Sequence, residues 1–290
     1  MIEKNNSPID IKLADRVGFS EYSQRASIID VAGKCRLMGL AAYQITGDFR
    51  INFPENVSEG DRRKIHEFNR ENNIHIHFHA PGDIPLASRH EPLRLGGVKR
   101  LTEFIELAIE LGAASFIFHP GRFAYYKISS GAIVMADRKI PEVYFERFLD
   151  SVSRLVDFAG GKIDLLLENT YGFSNQVIET IDRLLELPAT GLVWDIGHMS
   201  EKIPALKARK TDPNQMAQFF ADRLGKIKLA HIHDVSNGKG HLPLGTGALN
   251  IPAFLEVISQ LNIEMIIEVF SEQDLKTSLN YIESLSVKNW

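Results

Sequence analysis

The sequence predicts a single closed (β/α)8 barrel. Apolar runs alternate with helix-periodic stretches eight times, and the alternation covers nearly the whole chain without a break in composition. Runs such as the one ending at Glu168 (LLLE) and the one ending at Val269 (MIIEV) are apolar on both faces, as strands buried in a parallel sheet must be. A chain of 290 residues suits one barrel of about 250, leaving a short N-terminal extension over roughly residues 1–12. An open doubly wound sheet is the runner-up. It is weakened because no glycine-rich phosphate fingerprint follows the first strand.

The elements fall in order. A first strand is expected at Arg16–Phe19 with a helix from about Ser23 to Met38, and a second at Gly39–Ile45 with a helix at Ser58–Asn72. The third strand is Ile74–Ala80. Leu101, Ile105, Ala108 and Leu111 then space out one face of a helix. The fourth is Ser115–Pro120, followed after a long loop by a helix over Glu142–Phe158. The fifth and sixth are centred on Leu166 and Val193, with helices at Asn175–Leu187 and about Pro213–Leu224. The seventh, IKLAHIH, and eighth, MIIEVF, are followed by helices at Ile251–Leu261 and Gln273–Leu285. Two long interruptions, Pro81–Leu95 and Gly121–Pro141, follow strands, which places both on the catalytic face of a barrel.

Composition narrows the function classes. Lys plus Arg number 33 against 37 Asp plus Glu, a net charge of −4, which argues against a general nucleic-acid coat protein while leaving room for a local basic patch. The lone cysteine, Cys35, permits neither an intrachain disulfide nor a cysteine-based zinc site. The first residues, MIEKNNSPID, lack the apolar core of a secretory signal, and no apolar run approaches the roughly 20 residues of a membrane span, so a cytoplasmic location is expected.

The chemistry gathers where strands end. His79, His119, Glu168, Asp195, His231 and Glu268 close six successive predicted strands. In a barrel those ends converge on one mouth. Three carboxylates there repel one another by about 4 kcal/mol per pair at 4 Å and an effective dielectric near 20, so the cluster must take up protons or bind a cation. Mixed nitrogen and oxygen donors suit zinc, manganese, cobalt or iron, as one or two ions, better than calcium. His75 shares a face with His77 and His79 but lies about 13 Å from His79 along the strand, too far to share an ion. His75 and His77 are read as structural. Of His231 and His233, one is a ligand and the other stands beside it. Trp194 points away from Asp195, toward the helices.

These residues resemble the xylose-isomerase-like barrel superfamily, which includes sugar isomerases and epimerases and the endonuclease IV group. The likeness runs from VGFS at Val17 through HAPGD at His79, HPG at His119, LLLEN around Glu168, WDIGH ending at His198, HIHD at His231 and HLPLGTG at His241 to IIE ending at Glu268. It implies one metal position on Glu168, Asp195, His231 and Glu268, and a second on His79, His119 and a bridging Glu168. A third position of endonuclease IV would use His198 and His241 with an aspartate two residues before the latter. Lys239 stands there, and an ammonium is no ligand, so a full three-ion nuclease site is not expected.

Three functions follow from the resemblance. In the first, a metal-dependent isomerase or epimerase acts on a small carbohydrate, sugar phosphate or polyol through an enediolate, with Glu168 and Glu268 moving protons and His198 bonding the substrate. Lys239, Arg122, His241 and the amides around Gly245 and Gly247 would contact the substrate or its anionic group, although the glycines also fit a plain tight turn. In the second, two ions hydrolyse phosphodiesters at abasic DNA sites, with Lys207-Ala208-Arg209-Lys210 either touching the backbone or forming a solvated loop. The third is a metal- or sugar-binding barrel without turnover. Phe123, Tyr125 and Tyr126 would serve as a lid, a loop anchor or a contact between identical subunits. No membrane partner is expected, and nucleic acid is the less favoured one.

Overall fold

In the computed structural model, which describes residues 13–120, 125–129, 131–134, 141–170, 175–200 and 213–287, eight parallel strands close on themselves. They are β1 (Val17–Ser20), β2 (Ala42–Thr46), β3 (His75–His79), β4 (Ser115–Phe118), β5 (Asp164–Glu168), β6 (Thr190–Asp195), β7 (Ile227–Ile232) and β8 (Glu264–Ile267). Each pairs with its neighbour in sequence, and β8 returns to β1 through Val17 opposite Met265. Helices α1 (Ile28–Leu37), α2 (Glu59–Asn72), α3 (Glu91–Glu110), α4 (Pro141–Ala159), α5 (Asn175–Leu184), α6 (Pro213–Ala221), α7 (Ile251–Leu261) and α8 (Glu272–Val287) follow the strands in turn. The predicted barrel is the observed one.

Alternation along the strands builds two separate cores. Ala42, Ile117, Leu166, Val193, Leu229 and Ile266 point inward and form an apolar plug inside the barrel. The residues between them, such as Tyr43, Phe116, Leu165, Leu192, Ala230 and Met265, point outward into the main core beneath the helices. Trp194 belongs to the outer set, with its ring 5.6 Å from those of Phe220 on α6 and Phe254 on α7. Helix starts follow local chemistry. Ser27 and Asp30 make a reciprocal capping box at α1, and the Ser58 hydroxyl accepts the Asp61 amide at α2.

Two hairpins depart from the expected pattern. Tyr125–Ile128 pairs with Gly131–Val134 inside the stretch read as a long loop, and Asp234–Ser236 pairs with Lys239–Leu242 just beyond β7. The second turns on Asn237 and Gly238, whose φ angles of 53° and 76° are those of a two-residue hairpin turn. Asn-Gly was thus a legible signal. Helix α3 also begins earlier than its apolar spacing suggests. Its extra turn carries the buried Arg94, which donates to Glu91 and Ser151 and is ion-paired with Asp150 of α4. Among the described residues, no helix is long and apolar enough to cross a membrane.

Below the plug, His75 Nδ1 donates to Glu264 Oε1 at 2.7 Å, and His77 bridges Glu264 Oε2 (2.9 Å) and Ser115 Oγ (2.8 Å). Burial pushes the Glu264 carboxyl up, but the bonds from His75 and His77 outweigh it and hold it at about 2. The hydrogen bond to Glu264 raises His75 in turn. A depressed carboxylate contributes stability above its unfolded pKa of about 4.3 and loses it as pH falls toward 2. The raised His75 contributes below its unfolded pKa, about 6.5, and its share is lost as pH climbs through its folded value. Glu264→Gln is therefore expected to cost about 1–3 kcal/mol near pH 6, with the gap to wild type narrowing between about pH 5 and pH 3. Urea midpoints across that range check this, and a constant gap contradicts it.

Candidate metal centre

The plug ends where the polar residues begin. Register sets Asp195 on β6 opposite His231 on β7, and Thr46 on β2 opposite His79 on β3. Glu268 lies one residue past β8 and keeps the ladder going, its amide donating to Ile232 O at 3.0 Å. His119 lies one residue past β4. The result is one buried group of Glu168, Asp195, His231 and Glu268, with a ligand atom from each within 4.8 Å of the others. None of the four is more than 4% exposed. A second group, His79, His119 and Glu168, meets the same limit and shares Glu168 with the first.

Glu168 is the hub. Its Oε2 lies 3.1 Å from His79 Nε2, 3.2 Å from His119 Nε2 and 3.4 Å from His231 Nδ1. His231 Nδ1 is also 3.4 Å from Glu268 Oε1. His79 Nδ1 donates to Ala80 O at 2.8 Å, which leaves its Nε2 lone pair facing the centre. Among the described residues, every ion pair made by Glu168, Asp195 or Glu268 is with a histidine; no arginine or lysine neutralises them.

Electrostatics register the crowding. Burial pushes Glu168 up, but His231 and His119 outweigh it and hold it well below the usual carboxylate range. Burial likewise opposes ionisation of Asp195, yet His198 and His233 bring it down to about 2. Burial lowers His231, and the charges of Glu268 and Glu168 override this to raise it to about 9. The donor set fits a divalent ion on independent grounds. Asp195 Oδ2 and His231 Nδ1 are buried within this group and have no hydrogen-bond partner among the described residues. Buried polar atoms are normally paired, and a cation between them would satisfy both.

Contacts that the sequence did not assign hold these groups in place. The Asn169 side chain donates to Asp195 O and accepts the Asp195 amide, both at 2.9 Å, locking the end of β6 to that of β5. The His198 amide donates to Asp195 Oδ1 at 2.6 Å. Gln44 on β2 contacts both His231 and Glu268. The signal for Gln44 and Asn169 was a polar residue in an otherwise apolar strand, or one residue past its end.

The second hairpin explains the HIHD and GTG motifs. Asp234, fully buried, accepts the amides of Val235 and Leu249 on Oδ1 and of Gly245 and Gly247 on Oδ2. The amides of Gly245 and Gly247, expected to receive a substrate anion, are thus engaged by a carboxylate of the chain itself. A Cβ on Gly247 would sit 2.2 Å from Asp234 Oδ1, so only glycine lets the backbone come this close. The anchored hairpin swings His241 to the mouth with φ at 53°, a strained value for a side-chain-bearing residue.

His198, His233 and His241 form a third group with a ring nitrogen from each within 4.8 Å. The His241 amide donates to His233 Nδ1 at 2.8 Å, so the neutral ring carries its hydrogen on Nε2, 3.3 Å from Asp195 Oδ1. In that tautomer His233 faces Asp195 with a hydrogen and not with a lone pair. A Cβ on Gly197 would fall 1.9 Å from that ring, which accounts for the glycine in WDIGH. Lys239 is exposed on the hairpin and does not line the cavity. Arg122, Phe123 and the run Lys207–Lys210 lie outside the described residues.

A cavity of about 190 Å³ opens over the centre. Glu168, Glu268, His79, His119, His198 and His241 line it together with Ser20, Tyr22, Gln44, Thr46, Asp48 and Phe270. Tyr22 and Phe270 meet edge to face at 5.1 Å.

The fold recurs in solved structures. A D-tagatose 3-epimerase-like protein superposes with a TM-score of 0.70 at 20% identity, covering 93% of this chain and 96% of its own. Endonuclease IV from Thermus thermophilus gives 0.68 at 18% identity over 93% and 98%, and the IolI protein with a bound zinc atom gives 0.65 at 17% over 95% and 99%. No curated protein matches the chain by sequence. The family model described as xylose isomerase-like TIM barrel matches residues 33–286, and by that match the chain belongs to the xylose isomerase-like TIM barrel family.

Proposed function

We propose that this barrel is a metal-dependent isomerase or epimerase of a sugar, a sugar phosphate or a related polyol. The supporting observation is that Glu168 and Glu268, from strands β5 and β8, reach the same His231 nitrogen at 3.4 Å each and also face the cavity. Two carboxylates facing one cavity are the groups that a two-base proton transfer would use. Fold neighbours point the same way, since epimerases recur among them.

Glu168, Asp195, His231 and Glu268 would hold a divalent ion, which when bound polarises a carbonyl and its neighbouring hydroxyl and so acidifies the carbon-bound hydrogen. One glutamate removes that proton, and the other delivers a proton to the opposite face or the adjacent carbon. The electron pair left on carbon is held as an enediolate. His198 and His241, which line the cavity, would bond substrate hydroxyls, joined by Ser20, Thr46 and Tyr22. Phe270 supplies an apolar platform.

A second reading, metal-assisted hydrolysis at abasic DNA sites, is favoured by one observation: His79, His119 and Glu168 make a second donor group beside the first. Metal analysis with parallel assays on a ketose panel and an abasic-site duplex separates the two. Epimerised or isomerised sugar supports the proposal. Strand cleavage without sugar turnover supports the nuclease, and bound metal with neither activity supports a binding protein.

Glu168→Gln and Glu268→Gln are each expected to lower turnover by about 10²-fold or more while leaving the melting temperature of the metal-free protein within a few degrees; wild-type rates in either variant contradict its role. Because His231 is held at about 9, zinc binding at pH 7 must expel its Nδ1 proton. Calorimetry in buffers of different ionisation heat is expected to show about one proton released per ion bound there, falling away above about pH 9. No release at pH 7 contradicts this.

A further inference from the structure

Gln44 is 1% exposed and sits on β2, a strand that contributes no residue to the metal-ligand groups. Its side-chain nitrogen donates to Glu268 Oε1 at 2.8 Å and to Ser20 Oγ at 3.2 Å. Its oxygen accepts from His231 Nε2 at 2.8 Å. We propose that Gln44 is a positioning residue, choosing which nitrogen of His231 faces the centre and fixing Glu268 beside it, so that the two are presented to a divalent ion as a pair. This rests on the metal reading above.

A carboxamide has one accepting oxygen and one donating nitrogen. An ionised Glu268 only accepts, so the group facing it must be the nitrogen. The oxygen is then left for His231, and an amide oxygen only accepts. The hydrogen of His231 is consequently on Nε2. Turning the amide over would set an oxygen against a carboxylate and strip Nε2 of its acceptor, so the contacts select one orientation. The consequence falls on the far side of the ring. In the neutral ring, His231 Nδ1 then faces Glu168 Oε2 and Glu268 Oε1 with a lone pair available to a cation. Outer partners of this kind usually tune affinity about 10- to 100-fold. Gln44 differs from an ordinary partner in serving two ligands of opposite hydrogen-bonding character through one planar group.

The test is zinc affinity, read by competition with a chromophoric chelator, together with ¹⁵N-histidine spectra of the zinc-loaded protein. Gln44→Met keeps the length and loses the bonds. It is expected to weaken zinc about 10- to 100-fold with little change in the melting of the metal-free protein. Gln44→Glu, which can still accept from His231 but places a carboxylate against Glu268, is expected to lose affinity as well. In the wild type, His231 should show a protonated Nε2 and a metal-bound Nδ1, a signature that a purely structural side chain would not dictate and that remains measurable if the variants fail to fold. Wild-type affinity in Gln44→Met, or zinc on Nε2, overturns the proposal. A wild-type protein that takes up no zinc overturns the metal reading beneath it.

Discussion

Glu168, Asp195 and Glu268 are buried carboxylates within one small volume, and nothing described around them carries a permanent positive charge. Bringing ionised groups this close in a poorly solvated space is costly unless a cation or protons compensate. The neighbouring histidines provide part of the answer, and the raised His231 shows how far the cluster pulls on protons. A divalent ion would provide the rest more completely, because it would also meet Asp195 Oδ2 and His231 Nδ1. The barrel makes the problem, since it aims strand ends at one point, and it also makes that point suitable for chemistry.

Support for the centre is spread through the fold. Asn169 ties β5 to β6, His233 faces Asp195, and Gln44 spans from β2 to β7 and the end of β8. Asp234 gathers four backbone amides and so holds the hairpin that carries His241. Hydrogen bonds to a charged acceptor contribute about 1.5–3 kcal/mol each, which is enough to hold a strained residue such as His241 in place. The apolar plug below isolates this polar layer from the His75–His77–Glu264 cluster at the opposite end. On the proposed reading, ionisable groups at the two ends of the barrel have different tasks, chemistry at one and stability at the other.

Much of this was legible in the residues because strand alternation and barrel closure leave little freedom. Once β3 is a strand ending at the mouth, His79 must be there and His75 must be far below. His79, His119, Glu168, Asp195, His231 and Glu268 were grouped by that logic, and the structure brings them together. The family resemblance agreed with the matched family, and the chain fold followed. What escaped was of two kinds. Gln44, Asn169 and Asp234 act through hydrogen bonds whose partners lie on other strands or along a later loop, and a linear sequence does not show which polar residue meets which. The glycines around Gly245 look like an anion pocket in sequence, but the anion they hold is Asp234 itself. Hairpins inserted after β4 and β7 interrupt the repeating unit and were hidden by it, although Asn237-Gly238 marked one of them.

Crystals soaked with manganese or zinc and measured at the metal's absorption edge test the central claim most directly. An anomalous peak between Glu168, Asp195, His231 and Glu268, with His231 approaching through Nδ1, is the predicted result. A fully ordered mouth with no peak, or with those carboxylates satisfied by arginine or lysine, would contradict it.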